Sequence, residues 1–508
     1  MDLADNLITG FSVAFQPHNI FFCFIGVLIG TLIGVLPGIG PVGAMSILLP
    51  ITFGISPVTA IIMLSGIYYG AQYGGSTTSI LVGIPGEAAS VVTMLDGHQM
   101  ALQGRAGPAL GIAAFGSFIA GTIGIIGLML LAPPLASIAL RFGPPEYFAL
   151  MIMGLVILTY LAQKSMAKSL MMAGVGVLAG VVGLDTMTGL PRFTFGVSDL
   201  LDGIGIAPLA MGLFGVSEIL LNVEKTIKQS VVVSQVKNLL PSRQDWKESF
   251  APIMRGSFLG FLLGILPGGG AVLSSFISYG TEKRISKTPE KFGHGAIAGV
   301  AGPEAANNAA AQAAFIPLLT LGIPANAVMG ILLGALMIHG ITPGPLMIQK
   351  NPELFWGTVT SMYIGNAMLL VLNLPLIGLW VRLLRVRYAV LFPLILFIAL
   401  IGAYVINGSE MDLYLMLFFG VVGYLMRKFD YEPAPLILAY VLSPILEDSL
   451  RQSLIISSGS MGIFVSRPIA AGSRSGNDRD RRDRSGQQRS LSRSRSCRQA
   501  KRWRRFPT

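Results

Sequence analysis

A succession of apolar stretches long enough to cross a bilayer constrains this chain more than any other feature. They cover residues 18–38, 108–135, 145–163, 168–186, 199–221, 253–268, 354–381, 389–407 and 411–427. A helix needs about 20 such residues to span the hydrocarbon. Shorter stretches, or stretches broken by Gly and Pro, lie at 41–55, 57–73, 76–92, 271–280, 297–320, 324–340 and 433–447. Some of these are expected to be re-entrant or discontinuous helices. The expected fold is an all-α polytopic membrane protein, with roughly 10–13 spans at that length per helix. Composition agrees. Of 508 residues, 53% are hydrophobic and 12% charged, against roughly 25% charged in soluble domains. A disordered scaffold, a collagen and a disulfide-stapled secreted domain are excluded.

The formal net charge of +11 is localised. Residues 467–508 carry 14 Lys/Arg and 3 Asp/Glu, and 14−3=11. The remainder holds 36−14=22 basic and 25−3=22 acidic residues, so it is neutral. Basicity therefore gives no reason to expect a nucleic-acid partner. Cys23 and Cys497 lie far apart in sequence, and no structural disulfide is expected. Asp2 and Asp5 open the chain, with no Lys or Arg before the first apolar run. A cleavable signal peptide has a basic start, so the first apolar segment is expected to stay as a membrane element.

Lys and Arg mark cytoplasmic loops. Lys225, Lys228, Lys237, Arg243, Lys247 and Arg255 place the polar stretch 222–255 inside. Lys283, Arg284, Lys287 and Lys291 mark a second inside loop, Arg382, Arg385 and Arg387 a third, Arg427 and Lys428 a fourth. Lys164 and Lys168 mark another. Threading spans between them puts the N-terminus outside, in the periplasm.

An internal repeat is written into the same sequence. Gly34-Val-Leu-Pro-Gly-Ile-Gly40 recurs as Gly264-Ile-Leu-Pro-Gly-Gly-Gly270. Gly83-Ile-Pro85 recurs as Gly322-Ile-Pro324, and Gly107-Pro108 as Gly344-Pro345. His98 and His339 follow the two Gly-Ile-Pro motifs. Markers in the same order, offset by 230 to 241 residues, argue for duplication. The helix at 18–38 is expected to run inward and its counterpart at 253–268 outward. Likewise 108–135 starts beside Arg105, inside, and 354–381 ends at Arg382, inside. These are the marks of an inverted-topology repeat. The expected organisation is a first repeat at 1–140, connecting helices at 141–222 and a cytoplasmic basic loop at 223–252. A second, inverted repeat follows at 253–388, then C-terminal helices at 389–469 and a Ser/Arg-rich disordered tail at 470–508.

Paired helix interruptions in such folds point to the substrate site. A broken helix exposes N–H groups that attract anions at one half's N-terminus. Pro37, Pro85, Pro267 and Pro324 are the candidate breaks or hinges, because proline removes a donor and ends a helix. Gly38 and Gly40, with Gly268, Gly269 and Gly270, allow the backbone to approach an anion closely. Ser76, Thr77, Thr78 and Ser79 follow Tyr73-Gly-Gly75 and offer hydroxyl donors to a carboxylate. The bland alternative is that these small residues only pack helices. Asn307 and Asn308 can offer amide oxygens to a cation, or simply bond between helices. Glu304, in an otherwise uncharged stretch, is a candidate for ion coupling or a helix N-terminal charge after Pro303. Glu87 and Asp96 are expected near an interface. His98 and His339 are weighted toward packing, and Glu447 with Arg451 reads as a structural i,i+4 pair. No P-loop, His-Glu-x-x-His or cysteine-rich motif occurs, so no enzyme activity, cofactor or bound metal cluster is expected.

At these repeated motifs the chain resembles the large membrane subunit of the tripartite tricarboxylate transporters. The resemblance is carried by Gly34–Pro41, Tyr69–Gly75, Gly83–Gly86, Asp96-Gly97, Gly302–Asn308, Leu321–Pro324 and His339–Pro345. Arg451-Gln-Ser-Leu454 through Arg467-Pro-Ile469 completes it. It implies a multi-pass bacterial inner-membrane transporter that takes up citrate-like tricarboxylates, dicarboxylates or other small organic acids. It implies a small four-helix membrane partner, a periplasmic binding protein and a Na+ or H+ gradient as the driving force. The tail departs from the family, whose members usually continue into another apolar span. It reads as disordered and looks like out-of-frame sequence replacing a terminal helix. A channel or a membrane scaffold without coupled transport is the rival reading. A channel conducts without needing a binding protein, and a scaffold shows no flux.

Overall fold

The computed structural model describes residues 3–36, 40–160, 165–224, 238–266, 268, 270–383 and 388–466. These are predominantly helical, with almost no strand. The first half holds α1 (Leu3–Ala14), α2 (Pro17–Val35), α3 (Gly40–Leu48), α4 (Pro57–Val82), α5 (Val91–Leu102) and α6 (Ala106–Ala139). The connecting part holds α7 (Pro144–Tyr160), α8 (Met166–Gly180), α9 (Ile206–Ala210) and α10 (Ser217–Glu224). Then come α11 (Arg243–Gly264), α12 (Gly270–Ile285), α13 (Ala298–Ala313), α14 (Phe315–Leu321), α15 (Ala327–Ile338), α16 (Met347–Lys350) and α17 (Pro352–Asn373). The chain continues through α18 (Ile377–Leu383), α19 (Tyr388–Asn407), α20 (Glu410–Lys428), α21 (Pro433–Ile456) and α22 (Ile463–Ser466). Among the described residues, four helical stretches are long and apolar enough to cross a membrane: Pro17–Val35, Ala106–Ala139, Ile206–Glu224 and Pro352–Asn373. The third contains a π-helical stretch, Met211–Val216, between α9 and α10. The connecting part also carries a two-stranded antiparallel ribbon, β1 (Gly183–Leu184) on β2 (Pro191–Arg192), with Gly183 opposite Arg192.

The packing is governed by two glycine ladders. On α2, a Cβ at Gly26, Gly30 or Gly34 would lie 2.3, 2.5 or 2.3 Å from the carbonyl oxygens of Met63, Ile67 and Ala71 on α4. On α11, a Cβ at Gly256, Gly260 or Gly264 would lie 2.3, 2.1 or 2.5 Å from those of Gly302, Ala306 and Ala310 on α13. Small residues four apart let membrane helices meet backbone to backbone. The two ladders stand 230 residues apart, because 256−26, 260−30 and 264−34 are all 230. That is the offset of the repeated Leu-Pro-Gly motif.

Helix ends follow local chemistry. Ser56 caps α4, its Oγ accepting from the Thr59 amide at 3.3 Å, and Pro57 opens the helix. Gly83 ends α4 at φ 69°, and Gly322 ends α14 at φ 72°. Both repeated Gly-Ile-Pro motifs therefore act as left-handed helix stops. Gly40 (φ 63°) and Gly270 (φ 45°) begin α3 and α12 after the Leu-Pro-Gly motifs. The expected segment 253–268 is the end of a longer helix. A capping box between Ser242 and Asp245 starts α11 at Arg243, and Pro252 lies inside it. The expected segment 297–320 divides into α13 and α14. Pro303 is the sixth residue of α13, so Glu304 is not the helix N-terminal charge considered from sequence.

The described residues form two compact units, one of residues 1–141 and 154–444, the other of 142–153 and 445 onward. In the first, α13 is buried along nearly its whole length, with Glu304, Asn307, Asn308 and Gln312 enclosed along with its alanines. In the second, the Phe148 and Phe464 rings meet at 4.8 Å, and Arg451 pairs with Glu447 at 2.7 Å. Cys23 is buried and unbridged, its sulfur 3.9 Å from the Tyr69 hydroxyl. Cys497 and the Ser/Arg-rich tail lie outside the described residues.

Candidate functional site

The site begins where three glycines meet. A Cβ at Gly86 would lie 2.1 Å from the Gly34 carbonyl oxygen and 2.7 Å from the Gly75 Cα. Hydrogen is the only side chain that fits there. This brings the end of α2, the Tyr69–Gly75 motif of α4 and the Gly-Ile-Pro-Gly loop into one place. Glu87, next in the chain, sits against Gly75, where a Cβ would lie 2.6 Å from its Cγ. Across from it, Asn307 Nδ2 donates to Glu87 Oε1 at 3.2 Å. The Gln72 amide, turned so that its nitrogen faces these groups, donates to Glu87 Oε1 at 2.6 Å and to Asn307 Oδ1 at 2.6 Å.

Glu304 lies on the same helix as Asn307 and is fully buried. Ser76 Oγ donates to its Oε2 at 2.5 Å. Thr93 Oγ1 donates to its Oε1. Asn308 Nδ2 donates to Ser117 Oγ at 2.7 Å and to the Glu304 carbonyl at 3.1 Å. A buried carboxylate costs several kcal/mol unless it is hydrogen-bonded or neutralised. The side-chain donors facing this one among the described residues are all hydroxyls. One half supplies the carboxyl, and the other supplies the hydroxyls around it.

The hydroxyl run therefore does several different things. Ser76 holds Glu304. Thr78 Oγ1 donates to the Val35 carbonyl at 2.6 Å, fixing the end of α2. Ser79 Oγ donates to Ser90 Oγ at 2.8 Å. Thr77 lines a small cleft with Tyr73, Ser76, Ser117 and Asn373. Hydroxyl protons already given to protein acceptors are not aimed at a substrate. Of the glycines, Gly40 and Gly270 begin helices, and the Gly268 amide donates to the Ala325 carbonyl at 2.7 Å. Gly38, Gly269, Pro37 and Pro267 lie outside the described residues. Pro85 and Pro324 follow the left-handed stops Gly83 and Gly322.

The other singled-out residues hold local structure or end helices. Asp96 is fully buried and its Oδ1 accepts from the amides of Gly293, Gly295 and Ala296, while Tyr279 donates to Oδ2. It ties α5 to the loop before α13. The His98 ring covers Gly83 and its Nδ1 lies 3.1 Å from the Ile80 carbonyl oxygen. His339 ends α15. Thr93, Ser117, Asn366 and Asn373 escaped sequence reading. No repeated motif marks them: Thr93 sits in the mixed helix α5, Ser117 in the apolar α6, and Asn366 and Asn373 seven residues apart on α17.

The sequence profile of the Tripartite tricarboxylate transporter TctA family matches residues 20–438. The chain is 56% identical over 471 residues to an uncharacterized 52.8 kDa protein in the TAR-I ttuC' 3' region of Agrobacterium vitis. That alignment covers 93% of this chain and 94% of the relative. It is also 58% identical over 212 residues to an uncharacterized protein in the TAR-II ttuC' 3' region of the same organism, covering 42% of this chain and 88% of that one. No solved structure matches. On the match across most of its length, the chain belongs to the tripartite tricarboxylate transporter TctA family.

Proposed function

We propose that this chain is the substrate-translocating subunit of a system for secondary active uptake of small organic acids, citrate-like tricarboxylates or dicarboxylates. In this reading a periplasmic binding protein delivers the anion and a small four-helix membrane subunit completes the complex. Uptake follows alternating access between two inverted repeats of a bacterial inner-membrane protein and draws on a Na+ or H+ gradient. The N-terminus is on the periplasmic side. The observation that carries the reading is the buried carboxyl of Glu304, contributed by one repeated half and bonded to Ser76 of the other. An intramembrane carboxyl at the meeting of two halves is the usual mark of an ion-coupled pathway.

The substrate rests at the helix starts, around Gly38–Gly40 and Gly268–Gly270, where the macrodipole at the N-terminus of α3 and of α12 favours an anion. The hydroxyls of Ser76 and Thr93 hold Glu304 ready to exchange partners with the coupling ion, and Asn307 and Asn308 hold the neighbouring Glu87 and Ser117. Binding the anion and the cation together lowers the charge that must cross the bilayer.

Labelled citrate and a panel of di- and tricarboxylates, offered to proteoliposomes holding the three components, test this. Gradient-dependent, saturable uptake that needs the binding protein is expected. Flux that does not saturate and ignores the binding protein would replace this reading with a channel, and no flux with any acid under either gradient would leave a scaffold.

A further inference from the structure

Next to Glu304 lies a small cleft of about 10 Å³, room for about one water-sized occupant. Its apolar wall is Leu110, Ala113 and Ala114 of α6. Its polar wall is Tyr73, Ser76 and Thr77 from α4, Ser117 from α6 and Asn373 from the end of α17. Every polar atom these side chains can turn toward an occupant, apart from the Asn373 amide nitrogen, is a neutral oxygen.

Most of that wall is already oriented by the protein. The Tyr73 hydroxyl donates to Asn366 Oδ1 at 2.6 Å, so its remaining oxygen lone pair is an acceptor. Ser76 gives its proton to Glu304, which leaves the same kind of oxygen. Ser117 Oγ receives a proton from Asn308 Nδ2. The Asn373 amide nitrogen donates to the Leu369 carbonyl at 2.9 Å, while its Oδ1 is buried without a hydrogen-bond partner among the described residues. Asn373 is only 5% exposed, and leaving a buried acceptor unpaired costs about 1–3 kcal/mol. A cradle of oxygens with one acceptor unpaired, beside a carboxyl that meets only hydroxyls, is built for a cation.

We propose that this cleft is a sodium site, with Asn373, Ser76, Thr77, Ser117 and Tyr73 as its oxygen ligands and Glu304 as the counter-charge behind Ser76. The proposal rests on the transport reading above and names its coupling ion. Hard cations take oxygen ligands, and calcium sites gather several carboxylates. One carboxylate, held one hydroxyl away, suits a single positive charge. The cleft is too small for a hydrated ion, so the cation enters dehydrated. It ties α4 and α6 to α17, and filling it therefore biases the arrangement of these helices.

The test uses the full-length chain purified in detergent, with sodium exchanged for choline at constant ionic strength. The reading is the unfolding temperature as a function of sodium. A saturable rise with sodium, absent with potassium, is expected. Asn373→Leu and Thr77→Val should each raise the half-saturating sodium concentration at least tenfold, and Asn373→Asp should restore it. Should Asn373→Leu fail to fold by helical circular dichroism, Thr77→Val decides. The proposal is overturned if the unaltered chain shows no sodium-specific stabilisation, or if the folded variants saturate as it does. Uptake measured in parallel separates the two readings. Proton-driven uptake without sodium binding sinks the cleft alone, whereas sodium binding without uptake under any gradient upholds the cleft and sinks the transport reading.

Discussion

Glu304 and Ser76 show how one contact decides the character of a whole region. The carboxyl is fully enclosed, and its oxygens are met by Ser76 and Thr93. Glu304→Gln keeps the shape and removes the charge. It is expected to reduce gradient-driven uptake by at least tenfold while leaving helical content unchanged, read by proteoliposome flux and circular dichroism on one preparation. Ser76→Ala removes a hydrogen bond to a charged group, worth about 1.5–3 kcal/mol. Its effect should largely vanish in the Glu304→Gln background, because the two residues act through one bond. Additive losses in the double variant would show that they act separately. Glu304 was visible in sequence because it stands alone in a long uncharged stretch. Its partners were only half visible. Ser76 belonged to a conspicuous hydroxyl run, but Thr93 is a single residue in a helix with no repeat counterpart. Sequence spacing holds no information on which of two distant helices a lone threonine will face.

At the scale of elements, the glycine ladders set what can be changed. Gly260→Val puts a side chain where even a Cβ would lie 2.1 Å from the Ala306 carbonyl oxygen. Helices α11 and α13 must separate, and the cost should reach or exceed the roughly 1–3 kcal/mol usual for overpacking. A lowered thermal midpoint and poor recovery from the membrane are expected. Gly280, in the interior of α12, has open space around its Cβ position. Gly280→Ala should stabilise by up to about 1 kcal/mol through helix propensity alone. A destabilised Gly280→Ala beside a tolerated Gly260→Val would overturn the packing argument. The start of α11 responds to acid instead. Burial alone would raise the Asp245 pKa, but hydrogen bonds from the Ser242 side chain and amide, with the Arg105 guanidinium at 2.6 Å, hold it below its ordinary 3.8. A lowered folded value gives stabilisation that is present above the unfolded value and lost as pH falls through the folded one. Stability measured below about pH 4 should therefore fall faster for the unaltered chain than for Asp245→Asn. The helices α2, α6 and α17, the Leu-Pro-Gly breaks and the Gly-Ile-Pro stops were legible, since each is a local property of backbone and hydropathy, whereas α4 runs unbroken from Pro57 to Val82 through the glycines at which the sequence reading divided it. The extension of α11 back to Arg243 was not legible, because its first turns are charged and only the capping box announces them.

The whole molecule combines a rigid interior with lighter connecting structure. Helix α13 is buried along nearly its full length, so its amides should exchange hydrogen most slowly. The β1–β2 ribbon is held by few bonds and exposes Leu184, Leu190, Phe193 and Phe195, and it should exchange among the fastest. Exchange followed by mass spectrometry checks the order, and protection of the ribbon above α13 would contradict it. The ladders also carry a consequence for recognising distant relatives. Loop motifs tolerate drift wherever a binding surface changes, but a backbone-to-backbone seam admits almost no substitution at its rungs. Gly26, Gly30 and Gly34 and their counterparts Gly256, Gly260 and Gly264 can therefore serve as a ruler. In distant chains whose other signatures have eroded, two triplets of small residues at this fixed separation would still mark the same pair of backbone-to-backbone seams.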